Sequence, residues 1–300
     1  MRWRTAGTAS QTDLRTCCAD GECPHVIAEN IREGGEKKMM GKPESTAAAE
    51  EIFAGWQETL IWSCLQGVMG EIYTDHAAIP SSAMALLGDF CFLAGVPSEE
   101  LIRFRPEGCN QEFVIMVPRD EGWAQMIEGC YKDKAKKVIR YAFHKEPDTF
   151  CRRKLEEMVS ALPAEYTLRM LDEDIFHWCR QGTKEREWCR DWVSQYADYE
   201  MYRRYGLGVV AVEDGEPVSG ASSYSSYRGG IEIEIDTRPD HRRRGLARVC
   251  GAKLILECLK RGLYPSWDAQ NLWSKALAES LGYRFDRPYT AYEIWRWNQV

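Results

Sequence analysis

The sequence has no uninterrupted apolar run of about 18 residues, so it offers no membrane-spanning helix. Residues 1–35 contain no apolar core of the kind a secretory leader needs, and a cytoplasmic protein without a membrane partner is expected. Positive charge is not in excess. The net charge of −7 argues against a general nucleic-acid binder. Paired metal-ligand spacings are missing too: Cys17, Cys18 and Cys23 cluster, but no second CxxC and no HxxxH follow, and no metal site is expected. Other cysteines, Cys64, Cys91, Cys130, Cys250 and Cys258 among them, sit singly in apolar patterns, where a reduced thiol acts as a small buried hydrophobe. His144 and the Asp75–His76 pair stand alone and read as structural or solvated groups.

What is present is a chain of 300 residues with 44% hydrophobic content, enough for about two domains. Residues 1–44 read as a disordered or artefactual extension, because they carry no sustained hydrophobic period. The string Glu33-Gly34-Gly35-Glu36-Lys37-Lys38 before Met39 is what a purine-rich ribosome-binding site would encode if translated, which makes Met39 or Met40 the expected start. Mass spectrometry of the native N-terminus tests this.

Globular patterning begins near Ala47. Ile52, Phe53, Trp56, Leu60 and Leu65 predict a helix over 50–66, followed by a strand-like run over 82–94, a strand over 113–117, a helix over 122–131 and a strand over 138–143. A helix over 149–160 leads to Leu162-Pro163, an expected boundary between lobes of residues 45–160 and 161–300. The second lobe reads as strands over 166–171, 207–212, 218–227, 231–237, 264–267 and 289–297. Its helices span 172–181, with Asp172 as N-cap, 185–204, a stretch ending at Lys260, and 272–281. The alternation predicts an α/β (α+β) fold.

The stretch that carries chemistry is 231–259, IEIEIDTRPDHRRRGLARVCGAKLILECL. An alternating strand runs into a basic loop, and an amphipathic helix follows at once. The first turn of a helix presents unpaired N–H groups and partial positive charge, which together suit a phosphate. Gly245 and Ala247 keep that approach open, and Arg242, Arg243 and Arg244 add forked donors. As a bare string the motif is weak; its position between strand and helix gives it force.

Arg242-x-x-Gly245-x-Ala247 resembles the pyrophosphate-binding motif of the GNAT superfamily of acyl-CoA-dependent N-acyltransferases. Trp267-Asp268-Ala269-Gln270-Asn271-x-x-Ser274-x-x-Leu277-x-x-x-Leu281-Gly282-Tyr283 is similar to that family's later strand, Asn-led helix and closing Leu-Gly-aromatic turn. The resemblance is strongest to a two-lobed bacterial subgroup that includes a self-resistance acetyltransferase for the aminopolyol antibiotic zwittermicin A; it runs from about Glu50 to Trp297 and is weaker over the first lobe. The resemblance implies a GNAT fold on a mixed, mostly antiparallel sheet, preceded by a smaller degenerate GNAT-like lobe. It implies acetyl-CoA as acyl donor and a small amine, an antibiotic or metabolite, as acceptor. Backbone N–H groups of Arg243, Arg244, Gly245, Leu246 and Ala247 would cradle the pyrophosphate, Asp236 and Thr237 would pair with pantetheine, and Asn271 and Ser274 would bond the cofactor's arm or phosphates. The strand at Tyr264 would splay from the strand at Ile231.

Acyl transfer needs a base, because an alkyl ammonium has a pKa near 10. Glu232, Glu234 and Asp236 share one face of the motif strand, opposite Ile231, Ile233 and Ile235. Three acids on a covered face are costly unless they meet a polar cleft; the alternative is a half-solvated strand. Glu232 or Glu234 is the expected base or ammonium anchor, with a backbone N–H near Asp236 facing the oxyanion. Many family members place a Tyr as general acid where this chain has Ala278, so water, Ser274 or a residue such as Tyr283 must protonate the thiolate. Trp178, Trp188, Trp192, Tyr196 and Tyr199 read first as core, second as a border of the acceptor site. Two other functions compete: a non-catalytic acyl-CoA-binding or sensing module, which Ala278 favours, and a protein-binding module.

Overall fold

The structure, a computed structural model, describes residues 40–297. Met39, the cysteines at 17, 18 and 23, and the extension up to residue 39 lie outside the described residues. No helix among the described residues is long and apolar enough to cross a membrane.

The chain opens with α1 (Thr46–Ile52) and α2 (Thr59–Leu65), where one helix was expected; Gly55, at φ 75°, lies in the break between them. Next come β1 (Glu71–Thr74), β2 (Ser82–Leu87) and β3 (Phe90–Gly95). The run over 82–94 is thus a hairpin, with Leu87 opposite Phe90 and Gly88-Asp89 as its two-residue turn. Gly88 adopts φ 54°, and a Cβ there would meet the Tyr224 hydroxyl at 2.3 Å, so both torsion and space require glycine. Then follow α3 (Glu99–Arg103), β4 (Phe113–Pro118), α4 (Glu121–Tyr131), β5 (Ala135–Phe143) and α5 (Arg152–Ser160).

Beyond residue 160 come β6 (Thr167–Met170) and α6 (Glu173–Arg180), whose N-cap Asp172 accepts from the Ile175 N–H as expected. The helix expected over 185–204 divides into a 3-10 segment, Lys184–Trp192, and α7 (Tyr199–Tyr205). The division has a local cause: Asp198 caps α7 by accepting from the Met201 N–H at 2.8 Å, and Trp192, Val193 and Tyr196 are drawn into the core. The chain continues through β7 (Gly208–Glu213), β8 (Glu216–Tyr227), β9 (Gly230–Thr237), α8 (Leu246–Lys260), β10 (Tyr264–Ser266), β11 (Asp268–Ala269), α9 (Leu272–Leu281) and β12 (Phe285–Trp295).

Two sheets result, ordered β1-β2-β3-β4-β12-β5-β11 and β10-β9-β8-β7-β6. Each is mixed and mostly antiparallel, with a parallel pair β3–β4 in the first and β9–β10 in the second. Strands up to β5 build the first sheet and β6 opens the second, but β11 and β12 return to the first. The last strand inserts between β4 and β5 and buries Ala291, Tyr292 and Ile294. The helix α8 is buried against the second sheet through Leu246, Val249, Cys250, Leu254, Ile255 and Cys258. Cys64, Cys91, Cys250 and Cys258 are free and buried as expected, while Cys130 is half-buried.

Candidate active site

The site begins where two strands part. Tyr264, Pro265 and Ser266 pair with Gly230, Ile231 and Glu232, and there the ladder ends. Two residues later Asp268 pairs with Ala142 of the other sheet. The odd-numbered residues of β9 direct their backbone groups toward β10, because Tyr264 donates to the carbonyl just before Gly230 and Arg238 donates to Val218 on β8. Beyond Ile233, therefore, the N–H groups of Ile235 and Thr237 face an edge with no strand on it. Asp236, expected to pair there through its backbone, turns its N–H toward β8 instead; it contributes a carboxylate.

The open edge runs along a cavity of about 910 Å³. One end is walled by Thr237, Arg242, Arg243, Gly245, Leu246 and Ala247, with Asn271, Trp273, Ser274 and Leu277 from α9. Gly245 is the N-cap of α8; no side chain caps that helix and no acid stands in its first turn. Arg243 and Gly245 have φ of 65° and 82°, which turns the loop backbone toward the cavity, and a Cβ on Gly245 would meet nothing within 4 Å. An uncapped N-terminus of a 15-residue helix, open space before it and arginines around it fit a pyrophosphate. Arg244 is turned away: its guanidinium donates to the Tyr166 hydroxyl at 2.8 Å and the Asp240 carbonyl at 3.1 Å, and only its backbone belongs to the loop. Asn271 caps α9 by accepting from the Ser274 N–H at 2.9 Å, and the Ser274 hydroxyl accepts from the Trp267 indole at 3.1 Å.

The other end is acidic and aromatic. Glu234 and Asp236 meet Asp89 of the β2–β3 turn, Asp191 of the 3-10 segment, Phe90, Phe113 and Tyr224. Asp89 is held by its N–H donating to the Tyr224 hydroxyl at 2.8 Å and by the Gln111 amide donating to its carboxylate at 3.2 Å. Arg140 also lines this end but is occupied by Asp268 at 2.5 Å, and Asp268 accepts from the Tyr289 hydroxyl at 2.7 Å. Burial, and then the charges of Asp236 and Asp191, push the Glu234 carboxyl well above the usual range. Burial and Asp191 push Asp236 up to about 7. Burial raises Asp89 to about 6, with Asp191 adding to it.

Glu232 does not line this cavity. It is buried deeper, where the Thr59 hydroxyl of α2 donates to it, and burial raises its carboxyl. Its neighbour Glu58 is buried as well and is pushed up to about 7, chiefly by burial. Tyr283 is also withdrawn: it packs against Trp267 in the core, and its hydroxyl donates to the Pro265 carbonyl at 2.7 Å. Ala278 is fully buried. Trp192 and Tyr196 are core, Trp178, Trp188 and Tyr199 pack partly buried against it, and none of the five borders the cavity. No group of three potential metal ligands occurs among the described residues.

Sequence reasoning missed Asp89, Asp191, Tyr224 and Trp273. The Gly88-Asp89 pair carried the one usable signal, a two-residue turn inside an apolar run.

Comparison with known proteins agrees with the geometry. The GNAT acetyltransferase family model matches residues 50–292. YdfB of Bacillus subtilis strain 168, an uncharacterised N-acetyltransferase, is 27% identical over 252 residues, covering 78% of this chain and 89% of YdfB. The crystal structure of a GCN5-related N-acetyltransferase-like protein from Streptococcus suis 89/1591 superposes with a TM-score of 0.77 at 45% identity, covering 84% of this chain and 98% of that one. The chain belongs to the GNAT acetyltransferase family, with the family's fold, and is an acyltransferase. Members of this family use acyl-CoA donors.

Proposed function

We propose that the protein transfers the acetyl group of acetyl-CoA to a small cationic amine. The observation that carries this reading is one cavity with an uncapped helix N-terminus at one end, four half-buried carboxylates at the other, and the free edge of β9 between them. The donor brings an activated acyl carbon: the amine nitrogen bonds to it, the carbon–sulfur bond breaks, and the thiolate takes up a proton.

The chain's residues divide the remaining work. Backbone N–H groups from Arg243 to Ala247 hold the pyrophosphate, with Arg242 beside them. The free edge at Ile235 and Thr237 pairs with the pantetheine amides as a strand would, and the Ile235 N–H is the preorganised donor for the oxyanion. Asn271 and Ser274 flank the arm. Glu234 anchors the ammonium and, sharing a proton with Asp236, accepts one from it; carboxyls raised toward neutrality suit that task. Ser274, Tyr224 and Thr237 are the hydroxyls lining the cavity that can return a proton to sulfur, since Tyr283 is buried elsewhere.

The acidic end favours a basic antibiotic or metabolite, a class that includes aminopolyols such as zwittermicin A. In this reading residues 45–160 are a degenerate copy of the fold whose β2–β3 turn completes the acceptor wall, and the reaction is cytoplasmic. Thermal unfolding of the full chain with acetyl-CoA at about a hundred times its dissociation constant should gain ~2.7 kcal/mol. No shift at millimolar acetyl-CoA would reduce the Gly245 loop to a basic turn.

A further inference from the structure

Trp295 ends β12 with its side chain 60% exposed, although the strand is still paired with β4 at that residue. One exposed aromatic residue needs no explanation by itself; the place of this one in the sheet gives it meaning. Trp295 lies opposite Phe113, and Glu293 lies opposite Ile115, which is paired in turn with Phe90 of β3. Residues opposite each other point to the same face of a sheet. Phe90, Phe113, Ile115 and Glu293 all line the acceptor end of the cavity. The ring centres of Phe113 and Trp295 are 4.5 Å apart. The floor of the acceptor end therefore continues past Phe113 onto the surface as an aromatic step, with Glu293 beside it.

Charge decides what that step meets. Asp89, Asp191, Glu234 and Asp236 converge on this end, and the Arg140 guanidinium there is already bound to Asp268 at 2.5 Å. A single ammonium leaves most of that negative charge unanswered, so the acceptor carries more than one cationic group. An indole face attracts a cation through its ring quadrupole. The same floor already holds one, with the Arg140 guanidinium 4.7 Å from the centre of the Phe90 ring. Glu293 is paired with the exposed Lys136 at 2.7 Å, a surface contact of little worth that a bound cation can share. We propose that the acceptor is a diamine or polyamine held at two points: one amino group is acetylated beside Glu234, and a second cationic group rests on the Trp295 indole against Glu293. This rests on the acetyltransferase reading and on Glu234 as its acceptor wall, and it adds the number of charges and the span between them.

The test is steady-state thiol release from acetyl-CoA by the full chain with linear α,ω-diamines of increasing length, the matching n-alkylamines and phenylalkylamines. For wild type, kcat/KM should peak at one diamine length, at about tenfold or more above the alkylamine of that length. Trp295→Ala should raise KM for that diamine about 3- to 30-fold, with kcat, the KM for acetyl-CoA and the KM for the alkylamine unchanged. Trp295→Phe should recover most of the loss and Trp295→Leu little of it, because leucine restores apolar area without the negative face of a ring. Glu293→Gln should raise the same KM severalfold. Equal kcat/KM for diamines and alkylamines would overturn the proposal, as would a diamine KM untouched by Trp295→Ala. A preference for phenylalkylamines, or full recovery by Trp295→Leu, would also overturn it and make the step a seat for an apolar tail. So would a substitution that changes only self-association in sedimentation, which would make the indole a contact between copies. Each of these results leaves the acetyltransferase reading standing, because thiol is still released with an amine. Absence of amine-dependent release with every compound would overturn that reading along with the proposal.

Discussion

Ser266 faces Glu232 in the last rung between β10 and β9, and beyond that rung the chain leaves β10 for β11 of the other sheet while β9 continues alone along its edge. The chain crosses at Trp267, and Asp268 then pairs with Ala142 and binds Arg140. A strand edge in the middle of the protein is normally paired or covered, because unmet N–H groups are costly. Here the split leaves the edge of β9 facing a cavity, so a bound chain can complete the ladder.

Gly245 should tolerate a methyl group better than a charge. Gly245→Ala places its Cβ in open space but at φ 82°, so it should cost stability by about 1–2 kcal/mol and retain acetyl-CoA binding. Gly245→Glu puts a carboxylate where the pyrophosphate is read to sit and should abolish binding by calorimetry. Unchanged affinity in that variant would move the pyrophosphate elsewhere.

Glu234 and Glu232 should behave differently despite sharing a strand face. Glu234→Gln should lower turnover by about a hundredfold with acetyl-CoA affinity retained, the loss typical of a positioned base. Glu232→Gln leaves an oxygen to accept from Thr59 and lies outside the cavity, so turnover should stay within a few-fold of wild type. Steady-state kinetics on both variants separate the roles.

Asp191 stands beside the acids of the cavity and raises Asp89, Glu234 and Asp236. Asp191→Asn should therefore raise KM for a cationic amine severalfold with kcat little changed. It should also shift the pH profile of kcat/KM to lower pH, because one repelling charge is gone.

The profile of wild type has a definite sign. The base must be deprotonated to accept a proton; burial and the charges of Asp236 and Asp191 raise Glu234, and burial with the charge of Asp191 raises Asp236 to about 7. Hence kcat/KM should fall as pH drops below about 7, far above the range of an ordinary carboxylate. A profile flat down to pH 5 would remove these acids from proton transfer.

Glu58 gives a prediction for stability. Its folded pKa, raised to about 7 by burial, lies above its unfolded value, so it contributes most below the unfolded pKa and loses that contribution as pH rises through 7. Glu58→Gln should be more stable than wild type at pH 8, by up to about 3 kcal/mol, with the gap closing toward pH 4.5. Denaturant unfolding at the two pH values measures it.

The sequence made the phosphate-binding end legible because its chemistry is local. Arg242 through Ala247 lie between a strand and a helix that short-range periodicity reveals, and Asn271 announces its helix as a cap. The acceptor end was not legible, because Asp89 and Asp191 come from segments a hundred residues apart and meet only through Tyr224, Gln111 and the packing of Trp192 against Gly220. Alternation put Glu232, Glu234 and Asp236 on one face, yet it could not tell that the strand's partner departs after Glu232 and leaves only the last two at the cavity. The last strand was found as a strand, but its position between β4 and β5 is a non-local pairing that no local period encodes.

The most direct test of the account is thiol release from acetyl-CoA by the full chain with a panel of primary amines, run beside Glu234→Gln. The account predicts amine-dependent release at neutral pH, greatest for polyvalent cations, and its loss in the variant. Acetyl-CoA binding without thiol release above hydrolysis for any amine would contradict it, and would make the cavity a site that holds acyl-CoA without transferring its acyl group.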